Sequence, residues 1–417
     1  MRIITLLVTT ALLSTTNAVA QDRPVDLDSV LTELRQLRER VDSLEAELNR
    51  TRGAPGREEE LSELDAIRAA ARAAADSAQP ARAGEPEAFV DRSRNLNRLN
   101  PEISVTGDVR AVVVSPGPQA DNIDLREFEF SFQSALDPFA STKIFLSFED
   151  GEIDLEEAYA YWTGLPGNLR LDFGRMRQQI GELNRWHQHA LPETEYPLVI
   201  STYFGEEGLI GNGVGLYWLA PTSGNFSTHE FWAQVTLGEN EVLFEDSDRL
   251  SILGHLNNFF QLNRSTFFQL GGTALYGKNP SRSVETSVFG GDFRITWQPP
   301  DRAMRRSFTL RGEGYAVRKR VLGFGDTRLG GFVSAQYQLG RQLFAGLRYD
   351  VVEPLFGPED PERILVPHLQ WWQSEWVYLK AEWQHRSTPA NLGLRETDDR
   401  FVLQVVWAIG PHKHETY

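Results

Sequence analysis

Between Gln178 and Gly213 the chain carries its densest set of groups able to hold an ion. Arg185, His187 and His189 sit at i, i+2 and i+4, Glu193 and Glu195 follow, and Glu206 and Glu207 stand near the end. In an extended chain, residues two apart share a face, so the first three are expected to point together. Imidazole with carboxylate suits zinc or copper. A third clearly spaced ligand is missing, so no metal is expected, and the charges read as setting a local field in a hydrogen-bonded loop. The GEEGLIGNG end reads as a tight return. The stretch is far longer than an ordinary connection between strands, and its aromatics and histidines are poor composition for disorder.

The rest of the chain restricts what such a loop can belong to. Its 417 residues are 41% hydrophobic, with no cysteine and a formal net charge of -16; the mean hydropathy is -0.37. So acidic a chain argues against nucleic acid as a partner. Past the N-terminus no run approaches the roughly 18 apolar residues of a spanning helix. A barrel that crosses a membrane is polar on average, because each strand turns only alternate residues to lipid. No nucleophile motif such as G-x-S-x-G is present, so neither enzyme chemistry nor a cofactor is expected.

The first twenty residues begin with Arg2, run through an apolar centre from Ile3 to Leu13 and end on Ala18-Val19-Ala20, an A-x-A cleavage site. Residues 1–20 therefore read as a signal peptide. An exported chain without cysteine does not depend on disulfides. In 21–50, Leu27, Val30, Leu34, Leu37, Val41, Leu44 and Leu48 keep an a/d heptad spacing, which predicts an α-helical coiled coil. So short a coil is marginal alone and is expected to join chains held together elsewhere; the alternative is one amphipathic helix packed on its own protein. Residues 51–100 read as an Ala/Pro-rich periplasmic linker. Whether its free end contacts the cell wall is left open by its composition.

From Pro101 to 417 the period changes to two. Phe128, Phe130 and Phe132 alternate with Glu127, Glu129 and Ser131, and Leu169, Leu171 and Phe173 alternate with Arg170 and Asp172. Later, Leu343, Ala345, Leu347 and Tyr349 alternate with Arg348 and Asp350, and Val377, Leu379, Ala381 and Trp383 with Lys380 and Glu382. About sixteen such segments can be counted, of which 248–261 and 284–290 alternate poorly. The pattern predicts an all-β transmembrane β-barrel of about 16 antiparallel strands in the outer membrane, preceded by the coiled coil in the periplasm. Short connections such as GLPGN and LGR alternate with longer ones such as SPGPQADNI and EPLFGPEDPER, as periplasmic turns and external loops should.

On this count Gln178–Gly213 is the third external loop. The strand pattern and that position resemble the sixteen-stranded general and phosphate-selective porins, whose third loop folds into the barrel and narrows it. The resemblance implies a passive channel for small hydrophilic or ionic solutes, a homotrimer in outer-membrane lipid, and a constriction formed by Arg185, His187, His189, Glu193, Glu195, Glu206 and Glu207. Strand alternation places Arg110, Lys143, Arg170, Asp172, Arg294, Arg311, Glu313, Arg348, Lys380 and Glu382 on the pore lining. The inward charges are nearly balanced in sign, and most are expected to pair across strands. The competing reading is a structural barrel that tethers the periplasmic coiled coil.

Overall fold

The computed structural model describes residues 101–115, 122–149, 152–221, 227–279, 283–357, 360–390 and 394–410. The signal peptide, coiled coil and linker expected within 1–100 lie outside the described residues. Alternating sequence becomes sixteen strands. The first five are β1 (Glu102–Ser115), β2 (Asn122–Ala135), β3 (Ala140–Glu149), β4 (Glu152–Leu165) and β5 (Leu169–Arg177). After the long connection come β6 (Ile210–Ala220), β7 (Ser227–Gly238), β8 (Ser247–Asn263), β9 (Thr266–Lys278) and β10 (Val284–Trp297). The chain continues through β11 (Phe308–Val321), β12 (Thr327–Gln338) and β13 (Leu343–Val352). It ends with β14 (Glu362–Trp372), β15 (Val377–Pro389) and β16 (Arg395–Ile409). Every segment counted from the sequence is one of these strands.

Each strand pairs antiparallel with its sequence neighbours, and β1 closes on β16 from Val105 opposite Ile409 to Ser115 opposite Asp399. Closure leaves no unpaired edge, the condition for strands in hydrocarbon. Outward positions carry an exposed apolar band that includes Val214, Leu216, Ile252, Leu270, Val333, Leu347 and Leu403. Exposed Phe139, Trp162, Trp218, Phe267, Trp371 and Trp376 lie at or beside the turns of one end, as an interfacial aromatic girdle does.

The sheet runs farther than the hydrophobic pattern. Pairing of β15 with β16 continues to Pro389 opposite Arg395, and β10 with β11 to Val284 opposite Val321. Much of 386–399, which carries no apolar alternation, is therefore strand, and the connection at 298–307 on the other end is longer than several at this one. Backbone pairing continues wherever two strands stay side by side, whereas apolar alternation stops where lipid stops.

Two bulges break the alternation in adjacent hairpins. In β1–β2, Asp108 pairs Glu127 and Val109 pairs Leu125, which leaves Arg126 as the extra residue. In β3–β4, Phe145 pairs Glu157 and Leu146 pairs Leu155, which leaves Glu156 as the extra residue. A bulge re-aims the side chain it carries. Arg126 and Glu156 are accordingly buried beside Glu127 and Glu157, although strict alternation would place both on the lipid side.

Inside the barrel, α1 (Leu198–Phe204) and α2 (Glu241–Phe244) pack with a cluster that includes Leu253, Leu275, Val288, Val317 and Val366. These apolar residues occupy inward positions of β8 to β14, which explains the poor alternation of 248–261 and 284–290. Their inner face meets protein rather than water. Fully burying each such side chain contributes about 1.5–3 kcal/mol.

Candidate functional site

The loop between β5 and β6 begins and ends on the same ladder, for Gln178 N–H donates to Leu209 O at 2.9 Å. Between those ends it is fastened to wall side chains on opposite sides of the barrel. Gln179 N–H donates to Gln234 of β7 at 2.7 Å, and Gly181 N–H to Thr273 of β9 at 3.3 Å. Glu313 of β11 accepts from the N–H groups of Glu182 and Leu183 at 2.9 and 2.8 Å. Gly181 takes φ +63, and a Cβ there would lie 2.1 Å from the Tyr315 hydroxyl, so no larger residue fits this crossing.

The second half of the loop is held by β12 to β15 and by β1 and β2. Lys380 Nζ donates to the carbonyls of His189, Leu191 and Glu193 at 3.3, 2.5 and 3.1 Å. Glu382 accepts from Thr194 N–H and Oγ1 at 2.6 and 2.8 Å. Arg348 donates to Glu195 O at 2.9 Å, Arg110 pairs Glu195 at 3.0 Å, and Leu198 N–H reaches Asp350 at 3.1 Å. These are charge-assisted bonds in a buried setting, and removing one partner costs more than a surface pair would.

Arg185, His187 and His189 do not share a face, which corrects the extended-chain expectation. One 3-10 turn spans Leu183–Arg185 and another Gln188–Ala190, and side chains in such turns do not repeat every second residue. Arg185 lies over the Trp232 ring of β7, 5.6 Å from its centroid. His187 Nδ1 instead sits 2.6 Å from Glu129 and 3.1 Å from Glu156, and His189 Nδ1 sits 3.3 Å from Glu127. Burial pushes the His187 imidazole down, but Glu129 and Glu156 outweigh it and hold it well above its ordinary value. Arg177 binds Glu156 and Arg126 binds Asp108 within the same patch. Neither Arg126 nor Glu156 is legible in the sequence as an inward residue, because a bulge leaves no mark on hydrophobic periodicity.

Glu193 is also buried. Ser334 Oγ donates to it at 2.6 Å, Arg348 lies 3.6 Å away and His368 4.0 Å away. Burial pushes its carboxyl up, yet Arg348, His368 and the Ser334 bond outweigh burial and hold it below the usual range. A carboxyl depressed in the folded state stabilises fully above its unfolded value, and that contribution is lost as pH falls through the folded one. Glu193→Gln is therefore expected to lower Tm at neutral pH, and the gap should shrink as pH drops below about 4. Parallel melts of parent and variant across pH check this; a gap that stays constant would refute it.

Of the other loop residues singled out, Glu195 is half-buried, while Glu206 and Glu207 are exposed in the turn that returns to β6. There the backbone does the binding, for Glu207 O accepts from Arg177 at 2.6 Å and Glu206 O from Gln188 at 2.9 Å. Among the wall residues, Arg110, Glu313, Arg348, Lys380 and Glu382 grip the loop as described, and Arg294 and Arg311 pair Glu182 at 2.7 and 3.8 Å. Lys143, Arg170 and Asp172 face a different space, between β3, β4, β5, β7 and the loop, shared with Glu157, Arg177, Arg185 and His187. There Arg170 binds Asp172 at 2.6 and 3.1 Å and lies 4.2 Å over the Tyr161 ring.

No family model matches the sequence. A stretch of 121 residues is 34% identical to an uncharacterized protein of Aquifex aeolicus (strain VF5), covering 29% of this chain and only 25% of that relative's length. Solved barrels match far more of it. OprB of Pseudomonas putida superposes with a TM-score of 0.50 at 10% identity, covering 76% of this chain and 96% of that one. OmpF of Salmonella typhi, in complex with daunomycin, gives 0.50 at 9% identity over 75% and 99%. A loop-deletion form of OmpT, an outer membrane protein of Vibrio cholerae, gives 0.50 at 10% over 75% and 100%. With its strand number, its closure and this likeness, the region from 101 to 410 is a porin-like, sixteen-stranded antiparallel β-barrel of the outer-membrane type.

Proposed function

We propose that the chain is an outer-membrane porin, a passive channel for small hydrophilic or ionic solutes, in which the loop over 178–209 sets the width of the path. The observation that carries this reading is the pairing of two inner surfaces. The loop is bound to β1, β2 and β9 to β15, and at single points to β4 and β7, while a charged strip of Lys143, Glu157, Arg170 and Asp172 on β3, β4 and β5 faces the space beside it. A path of this kind selects by width and field and needs no chemistry. Planar-bilayer recording of the purified protein tests it: steady ion-conducting steps support a channel, and silence from a folded barrel refutes it.

The strip also sets a sign. Arg170 is held by Asp172, and among the residues lining that space Lys143, Arg170, Arg177 and Arg185 outnumber the acids Glu157 and Asp172. Preference for chloride over potassium is therefore expected from the reversal potential in a salt gradient. Lys143→Gln with Arg185→Gln should reduce that preference without changing the fold, and a cation-selective parent would refute the assignment of the path to this side.

A homotrimer in outer-membrane lipid, with residues 21–50 joining protomers in the periplasm, accompanies this reading. The second reading, a structural barrel that anchors the coiled coil, is favoured by the apolar cluster between α1 and β8 to β14, because it fills part of the interior with packed protein. The bilayer recording separates the two.

A further inference from the structure

Sequence spacing offers two imidazoles and no third ligand. Tertiary structure supplies the remainder from two other strands. Glu127, Glu129 and His189 form one three-ligand set and Glu129, Glu156 and His187 another, each with its ligand atoms within 4.8 Å of one another. The sets share Glu129, and every member is buried. A buried carboxylate is costly unless it meets a cation or strong donors. Arg177 is placed against Glu156 and His187 against Glu129, whereas Glu127 meets His189 only at 3.3 Å and its Oε1 has no hydrogen-bond donor. The cluster also depends on the bulge that turns Glu156 inward, and bulges concentrate beside functional sites.

We propose that Glu127, Glu129, Glu156, His187 and His189 bind a divalent first-row transition cation, which staples the loop to β2 and β4. Mixed imidazole and carboxylate donors suit zinc, which takes four ligands at short range, so four of the five groups suffice for one ion. Magnesium and calcium prefer all-oxygen shells, so neither fits two histidines. The site stands whether or not the barrel conducts, because it is defined by ligands that hold the loop in place.

Zinc chloride titrated calorimetrically into the full-length, chelator-stripped protein tests the proposal, with bound zinc counted by mass spectrometry. A single tight zinc per chain is expected. The double variant His187→Ala with His189→Ala should weaken it by at least about 100-fold. His412→Ala with His414→Ala, which removes the sequence's other closely spaced pair, should leave it unchanged. Zinc should raise the parent's Tm through mass action, and magnesium should not. Where the double variant fails to fold, Glu127→Gln, nearly isosteric, should still weaken zinc binding. No tight zinc in the parent, binding unchanged in a folded His187/His189 or Glu127 variant, or binding lost with His412 and His414 would overturn the proposal.

Discussion

Deletion of Ile180–Gly208 should raise single-channel conductance several-fold while the barrel still folds. The ends left behind already lie together, because Gln178 and Leu209 are paired on the β5–β6 ladder, so a short linker closes the gap without moving either strand. The strand ladders do not run through the loop, and a sixteen-stranded barrel without an inserted segment leaves an aqueous channel. Glu313, Glu382, Arg348 and Lys380 would lose their loop partners but gain water, so no charge would be stranded in a dry interior. The apolar inward patch at Leu253, Val288 and Val317 would be wetted, at a cost in Tm. Bilayer recording of parent and deletion, with circular dichroism to confirm the strands, decides the matter. An unchanged conductance from a folded deletion would end the idea that this loop limits the path.

The single substitution with the largest expected effect is Lys380→Met. Its ammonium is almost entirely buried and bonds three alternate carbonyls of the loop, those of His189, Leu191 and Glu193. Methionine keeps the stem but removes the ammonium, leaving the Leu191 and Glu193 carbonyls without that donor and Glu382 without its cationic neighbour, while Tyr378 still donates to the His189 carbonyl. Breaking one side of a buried charged arrangement costs on the order of 3–5 kcal/mol, enough to loosen the segment from Leu191 to Glu193 between its remaining β15 contacts at His189 and Thr194 while the barrel persists. The expected signature is current that flickers between two levels, with faster tryptic cleavage at Arg185. Lys380→Arg keeps the charge and should fall between parent and Met variant. A quiet trace with unaltered proteolysis would show that Lys380 does not anchor the loop.

The strands were legible because the environment imposes them. A wall with lipid outside and polar material inside demands alternation, and that demand repeats in every strand from Ile103 to Ile409. Alternation faded only where the inside is also apolar, as at Leu253 and Val288, since a strand buried on both faces has no period to read. The inward charges Glu313, Arg348, Lys380 and Glu382 were legible for the same reason as the strands. Their partners were not. Each bonds a residue more than a hundred positions away, such as Glu313 to Glu182 and Lys380 to Leu191, and local spacing carries no record of such a pairing.

The loop over 178–213 shows where that boundary runs. Its length, its position as the third external connection and its stock of histidines and carboxylates can all be read from the chain alone. Its shape cannot. The two 3-10 turns and α1 are selected by what the loop lies against, and they send Arg185 toward β7 while His187 and His189 turn to β2 and β4. The acids that meet those histidines come from separate hairpins, and one of them, Glu156, faces inward only because a single extra residue shifts the register of β4. Periodicity is local and survives in sequence; convergence of side chains across a closed barrel depends on register and closure, which arise only when all sixteen strands pair.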